Sequence, residues 1–189
     1  MTKKMDSTSP ANSSPVSVIT DSIVTVLTSA DLPGQLVRMW NMHKRFYLDK
    51  EGSLKVVPYP KAKRFDAIAV PVNGIGDLGR MIARISTDPK RIVIRGVHQR
   101  SKVSMTQRLK DIFPEHPQGT PWVMIDFDDI ELPEGVDPLT TEAIECCIHK
   151  LPPEFHGVTY FYQHSNSAGI LNPDGTPRKK GLNAHVFFW

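Results

Sequence analysis

Residues 124–128 read Met-Ile-Asp-Phe-Asp, and this alternation of apolar and acidic side chains is typical of a β-strand. On a strand, Asp126 and Asp128 share one face, while Ile125 and Phe127 point the other way, into a core. Because two like charges are costly to remove from water, a pair of carboxylates on a mostly buried strand favours a bound divalent cation. Mg²⁺ and Mn²⁺ prefer such ligands, so the sequence predicts a metal site. The alternative is that both carboxylates face water where the strand ends.

The composition indicates a globular protein without a membrane segment. The chain has 189 residues, of which 40% are hydrophobic and 23% charged, enough for one domain or one domain with a small satellite. Its net charge of +3 permits a polyanionic partner without requiring one. Cys146 and Cys147 are adjacent, which suits neither a zinc site nor a disulfide. No apolar run is long enough to cross a bilayer, so we expect a cytoplasmic protein.

Local patterns predict a mixture of strands and helices. Residues 1–16 are polar and low in complexity and are predicted to be disordered. Apolar side chains at positions 78, 81, 82 and 85 predict a helix from Gly76 to the Asp88-Pro89 pair. A second helix is predicted over Ser104–Phe113. Hydrophobic and β-branched runs predict strands at 23–27, 55–57, 66–72 and 91–95, whereas residues 36–48 are ambiguous.

The C-terminal part of the sequence gives clearer patterns. Asp137 and Pro138 predict the start of a helix that Pro152 ends. Strands are predicted at 122–127, 158–163 and 184–189, with a polar loop over 165–182. These elements predict an α+β fold with helices against one face of a sheet. The chain ends inside an apolar strand, so we expect it to be a fragment truncated at its C-terminus.

The loop and the last strand add a second group of candidate residues. His185 begins an apolar strand, where a lone histidine is often a hydrogen-bonded core residue. However, the loop before it offers Ser165 and Ser167, whose small size lets the backbone approach a phosphate, and Lys179 and Lys180, which could neutralise one. The alternative for the lysines is a solvated loop tip. We predict that acid pair, loop and histidine converge on neighbouring strands.

Other catalytic patterns are missing from the sequence. It contains no glycine-rich phosphate loop ending in Lys-Ser or Lys-Thr, and Gly74-Ile75-Gly76 lacks the third glycine of a dinucleotide-binding fingerprint. No serine lies in a nucleophile elbow. Rolling-circle replication proteins use two histidines around one hydrophobic residue, but here Asn183 takes the first position.

The strand ending in Asp126-Phe127-Asp128, followed by a strand with Asn183-Ala184-His185, resembles the archaeo-eukaryotic primase superfamily. The resemblance extends over residues 66–189 and is strongest to the primase-polymerases of plasmids, phages and integrated elements. It implies an RRM-like catalytic half at 121–189, packed beside an N-terminal α/β unit at 17–120.

The resemblance also implies roles for the candidate residues. Asp126 and Asp128 would bind Mg²⁺ or Mn²⁺, and His185 would contact the phosphates of an incoming NTP or dNTP, with Ser165, Ser167, Lys179 and Lys180 beside it. The reaction would be nucleotidyl transfer to a 3′-hydroxyl on a single-stranded DNA template, and a replicative helicase is the partner that the resemblance implies. The third carboxylate of the family is not found, so we expect incomplete metal binding, and this chain alone would then be inactive. A non-catalytic replication-initiation module and a metal-dependent nuclease or phosphohydrolase stay open as alternatives.

Overall fold

The computed structural model of the protein describes residues 22–30, 42–58 and 62–189. The predicted disordered segment 1–16 lies outside these residues, as does the first part of the ambiguous stretch 36–48. In the first half of the chain the elements are β1 (Ser22–Ser29), β2 (Arg45–Leu48), β3 (Leu54–Val57), β4 (Phe65–Val72), α1 (Ile75–Ser86), β5 (Arg91–Ile94) and β6 (Lys102–Thr106). In the second half they are β7 (Val123–Ile130), α2 (Thr141–Ile148), a short 3₁₀ helix (Pro153–Phe155), β8 (Tyr160–His164) and β9 (Leu182–Phe188).

Over the described residues the strands form three antiparallel sheets, and together with two α-helices they confirm the predicted α+β class. The first sheet has the order β5-β1-β4-β6, and β2 pairs with β3 in a separate hairpin. The third sheet has the order β7-β9-β8, so that β9 lies between two strands that run parallel to each other. Because α2 connects β7 to β8, this sheet is a split β-α-β unit with β9 inserted in the middle.

Helix α1 links the four-stranded sheet to the three-stranded sheet through one apolar core. Leu78 and Ile82 on its buried stripe pack with Val24 of β1 on one side and with Trp122 and Phe187 on the other. Since the two sheets bury apolar area against the same helix, this core fixes how they face each other. The helix therefore sets the geometry of the space between the sheets.

Helix α2 covers the opposite face of the three-stranded sheet. Ile144 and Cys147 of α2 pack against Val186 and Phe188 of β9, while Phe187 between them points to α1. This alternation is the period of two expected for a central strand that is buried on both faces. The sheet therefore has a helix on each face, where the sequence predicted helices on one face.

The predicted helix over Ser104–Phe113 is wrong. Residues 102–106 form strand β6, whose Thr106 pairs with Phe65 and whose Val103 pairs with Ala67 of β4. A turn follows and places Phe113 in the core on the far side of the four-stranded sheet. The apolar residues with helical spacing thus lie in a strand and the turn that follows it. Pairing of β6 with the distant strand β4 outweighs the local preference for a helix.

The predicted start of α2 at Asp137-Pro138 is also wrong, by about one turn. The N-cap is Thr140, whose hydroxyl accepts a hydrogen bond from the Ala143 amide at 3.4 Å. Asp137 instead accepts from the Leu139 amide at 2.9 Å, in a turn of the type that Asp favours. Asp and Thr are both good N-cap residues, so the sequence does not show whether Asp137 or Thr140 begins the helix.

Candidate functional site

Three polar side chains form a row across the three-stranded sheet. Asp126 on β7 is paired with His185 on β9, and His185 is paired with Gln163 on β8. The Nε2 atom of His185 lies 3.4 Å from Oδ1 of Asp126. Paired residues on adjacent strands share a face, so all three belong to the face that looks toward the four-stranded sheet. The structure thus brings the predicted acid and histidine together.

The premise that the two carboxylates lie on a mostly buried strand is wrong. The side chains of Asp126 and Asp128 are 59% and 73% exposed, although Phe127 between them is buried in the core as expected. Strand β7 lies at the edge of the three-stranded sheet, a position that leaves polar side chains more open to solvent than a central strand does. Solvated carboxylates need no metal for their stability, so this argument no longer supports a metal site.

A β-bulge at residues 128–129 changes the direction of β7 beside this row. The pairing register shifts between Phe127 and Ile130, and Asp129 adopts a positive φ of 57°. The buried Asn183 side chain accepts from the Asp129 amide at 3.1 Å, and Asp129 Oδ1 accepts from the Gly181 amide at 2.9 Å. Bulges commonly re-aim a side chain next to a functional site. Because of the bulge, the side chain of Asp128 does not follow the regular alternation of side chains along β7.

Lys179 forms an ion pair with Asp128. Its Nζ donates to Asp128 Oδ1 and also to Asn183 Oδ1, the latter at 2.8 Å. The hydrogen bond and the charge of Lys179 lower the pKa of Asp128, with smaller contributions from Lys44 and His185. Asp128 is therefore held in its ionised form. Of the two lysines predicted to bind phosphate, Lys179 contacts this carboxylate and Lys180 is exposed.

The donor chemistry at this site fits Mg²⁺ or Mn²⁺ only in part. Asp126 and Asp128 offer carboxylate oxygens, the ligands that both ions prefer, and His185 Nε2 could add an imidazole for Mn²⁺. Among the residues that the structure describes, however, no group of three or more His, Cys, Asp or Glu side chains is arranged to hold a metal ion. A metal at Asp128 would also compete with the ammonium of Lys179, which contacts Oδ1 of that carboxylate.

A cleft of about 530 Å³ opens beside the row, between the three-stranded sheet and strand β5. Met124, Gln163 and His185 line its wall on one sheet, and the edge strand β5 lines the opposite side. Its cations are Arg91, Arg95 and Arg108, the first of which is paired with Asp88 at 3.0 Å. The cleft is therefore apolar along part of its wall and positively charged at several points of its lining.

The small polar loop lies at one end of the cleft. Ser165 lines it, and its amide donates to the Asn183 carbonyl at 2.9 Å, which fixes the loop to β9. The hydroxyl groups of Ser165 and Ser167 are 3.0 Å apart. Ser167 is not in the cleft lining, so it would act on a ligand through Ser165 rather than directly. Asn166 also lines the cleft and donates from its amide group to the carbonyl of Lys44.

Sequence patterns missed Gln163 and Arg108 among the cleft residues. Gln163 faces the cleft because it pairs with His185, and the pairing of two strands cannot be read from the local sequence. Arg108 lay in the segment wrongly predicted as a helix. Asn166 lies between Ser165 and Ser167, in the small polar loop that the sequence singled out for phosphate, and it lines the cleft.

Comparison with known protein families, with curated proteins and with solved structures finds no match to this chain. Within the described part of the chain, neither helix is long and apolar enough to cross a membrane.

Proposed function

We propose that this chain is a nucleotidyltransferase of the primase-polymerase type, acting on NTP or dNTP and a single-stranded DNA template. The observation that carries the proposal is the contact of His185 with Asp126 at the edge of a cleft with several arginines. A carboxylate that can hold a metal and an imidazole that can meet phosphate oxygens stand side by side, as the resemblance to the primase superfamily requires.

The size and charge of the cleft support a nucleotide as its ligand. Its volume of about 530 Å³ lies within the range of roughly 300–1,000 Å³ that small-molecule sites occupy. Arg95 and Arg108 can neutralise phosphate oxygens, for which the planar guanidinium is well suited. The apolar wall at Met124 offers a surface for a base. A single cleft could therefore hold both ends of a nucleoside triphosphate.

The proposed mechanism assigns one task to each side chain. Asp126 and Asp128 would hold Mg²⁺ or Mn²⁺, and the ion when bound would activate the 3′-hydroxyl and neutralise charge on the leaving pyrophosphate. His185 and Ser165 donate hydrogen bonds to the triphosphate and orient it for in-line attack on the α-phosphate. Lys179, which pairs with Asp128 in the structure, would pair with a phosphate of the bound nucleotide.

The fold and the setting fit this proposal. The split β-α-β unit of β7, α2, β8 and β9 is one half of the ferredoxin-like arrangement on which RRM-like catalytic sheets are built. A replicative helicase is the expected partner, and the cytoplasm, where template and nucleotides meet, is the expected location.

A second candidate function is a non-catalytic nucleic-acid-binding module used in replication initiation. The observation that favours it is the Lys179–Asp128 ion pair, which occupies one of the two proposed metal ligands with a cation of the chain itself. The positively charged cleft would then bind a strand without catalysing transfer. A metal-dependent nuclease or phosphohydrolase would use the same two aspartates with water as the nucleophile.

Extension of a labelled primer on a single-stranded template, with dNTP or NTP and Mn²⁺, tests the proposal. We expect incorporation that is lost in Asp126→Ala and reduced in His185→Ala by about 100- to 1,000-fold, the effect of removing one transition-state donor. Glu134→Ala, which removes an exposed carboxylate outside the cleft lining, is the matched control and should retain activity. Template binding without incorporation would support the module instead, and release of nucleotides from DNA would support the nuclease.

A further inference from the structure

The β2–β3 hairpin is a two-stranded sheet with two chemically different faces. Its register pairs Arg45 with Val57, Phe46 with Val56 and Tyr47 with Lys55. Because side chains alternate along each strand, Tyr47, Arg45 and Lys55 lie on one face and Phe46 on the other. Arg45, Tyr47 and Lys55 are exposed, Tyr47 by 52%, while Val57, the partner of Arg45 on the same face, is half-buried. An aromatic ring thus stands between cations on a surface open to solvent.

The opposite face of the hairpin is fixed to the loop that borders the cleft. The Arg178 guanidinium lies over the Phe46 ring, 5.1 Å from its centroid, a distance typical of a cation–π contact. Next to β2, the Lys44 carbonyl accepts a hydrogen bond from the Asn166 side chain, and Asn166 itself lines the cleft. The Lys44 charge also lowers the pKa of Asp128. The hairpin is therefore held next to the candidate site.

The charge of the hairpin suits a polyanion. Residues 44–55 contain four cations, Lys44, Arg45, Lys50 and Lys55, and two carboxylates. One of these carboxylates, Asp49, already accepts hydrogen bonds from turn amides and pairs with Lys55 at 3.2 Å. Cations around an exposed aromatic ring are the combination that binds single-stranded nucleic acid, in which bases stack on rings and phosphates meet Lys and Arg. A duplex has no unstacked base to offer to Tyr47.

We propose that the face of Arg45, Tyr47 and Lys55 binds single-stranded nucleic acid and delivers it to the cleft. Tyr47 stacks on one base, while Arg45 and Lys55 contact the phosphates on either side of it. The claim that this face binds the template rests on the proposed function. The claim that it binds single-stranded nucleic acid depends only on the residues of the hairpin, so the two claims can be tested separately.

The test is fluorescence anisotropy with labelled oligo(dT) of about 16 nucleotides, the upper end of the length that one small module covers. EDTA is present and nucleotides are left out, so that the result does not depend on catalysis. We expect Tyr47→Ala to weaken binding by about 5- to 150-fold, the effect of losing one stacked base, and Tyr47→Phe to retain it. Arg45→Gln should lower the slope of log K against log salt by about 0.7, the value for one phosphate contact on a single strand.

Two controls keep this proposal falsifiable. Leu48→Ala removes a 58% exposed side chain from the other face of the hairpin, and Lys102→Gln removes an exposed charge from β6, at the far edge of its sheet. Both should bind as wild type does. No binding by the wild-type protein, equal binding by Tyr47→Ala, or equal competition by a duplex would each overturn the proposal. A loss in Tyr47→Ala in a protein that incorporates no nucleotide would support the hairpin while refuting the polymerase.

Discussion

Replacing Gly181 with alanine should destabilise the protein and disturb the bulge that carries Asp128. A Cβ atom at position 181 would lie 2.6 Å from the carbonyl carbon of Asp129 and closer still to the oxygen of Ile130. Real Cβ atoms essentially never come within 3.0 Å of another heavy atom, so one of the two strands must move. The atoms in the way belong to the backbone rather than to a flexible side chain, so the clash cannot be relieved by a change of rotamer.

The expected cost follows from two contributions. Overpacking by one methyl group in a tight site costs about 1–3 kcal/mol. Moving the strands apart also stretches the hydrogen bond from the Gly181 amide to Asp129 Oδ1, now 2.9 Å long, a bond worth about 0.5–1.5 kcal/mol. We therefore expect the free energy of unfolding to fall by about 1.5–4.5 kcal/mol in total, the sum of the two ranges. For a chain of this length that corresponds to a fall of roughly 3–18 °C in the melting temperature.

The loss of stability is measured by urea denaturation and thermal melting. The proteins compared are wild type, Gly181→Ala and the control Gly76→Ala. Gly76 lies in the first turn of α1, where an added Cβ would lie 3.7 Å from Arg80 Nη1, an ordinary contact distance. Since alanine favours a helix over glycine, Gly76→Ala should be neutral or stabilising by up to about 1 kcal/mol. A Gly181→Ala protein as stable as wild type would refute the proposed close approach of β7 and the segment before β9.

Two further predictions concern Lys179 and Cys147. Lys179→Met should raise the affinity for Mn²⁺ by about 1.5- to 5-fold, because an exposed ion pair is worth about 0.2–1 kcal/mol. Isothermal titration calorimetry measures this change, and Lys180→Met, the control, should leave the affinity unchanged. Because Lys179 lowers the pKa of Asp128, its stabilising effect is present above the ordinary value of 3.8 and lost as pH falls below it, so wild type and Lys179→Met should converge in stability in acid. Burial raises the pKa of Cys147, so a thiol reagent at about pH 8 should label Cys146 first, and equal rates would contradict this packing.

Elements with a regular local pattern could be predicted from the sequence. The apolar stripe of α1 follows the helical period and is buried as that period requires, at Leu78, Ile82 and Ile85. The β-branched run of β1 forms a strand, as its composition indicated, and the structure places it inside the four-stranded sheet. In both cases the same residues that favour the element locally also fill the core, so that local preference and tertiary packing agree.

Elements whose form depends on distant partners could not be predicted. Strand β6 exists because it pairs with β4, and its sequence alone shows the spacing of a helix. The bulge at Asp129 depends on Asn183 and Gly181, which lie more than 50 residues away. No local signal marks either one. The expected burial of Asp126 was wrong for the same reason, since β7 lies at the edge of its sheet and that position is set by long-range strand pairing.

The sequence pointed to some residues that the structure brings together at the candidate site, but not to all of their contacts. Asp126 and His185 were expected on neighbouring strands, and the register brings them into contact. The pairing of Lys179 with Asp128 was not expected. It arises because the loop returns to β9 through Gly181 and Asn183, which places Lys179 against the bulge. Lysine is common in solvated loops, so its residue type carries no signal for this contact.

The Lys179 contact separates the catalytic proposal from its alternative. In a nucleotidyltransferase, Lys179 would give up its contact with Asp128 and pair with a phosphate of the bound nucleotide. The Lys179→Met variant should therefore bind metal more tightly and nucleotide more weakly than wild type. In a binding module the ion pair is permanent, and Lys179→Met should lose stability near neutral pH without gaining metal. For one substitution, the first function thus predicts a gain in metal affinity and the second predicts no change. That measurement distinguishes them even in a preparation that shows no incorporation.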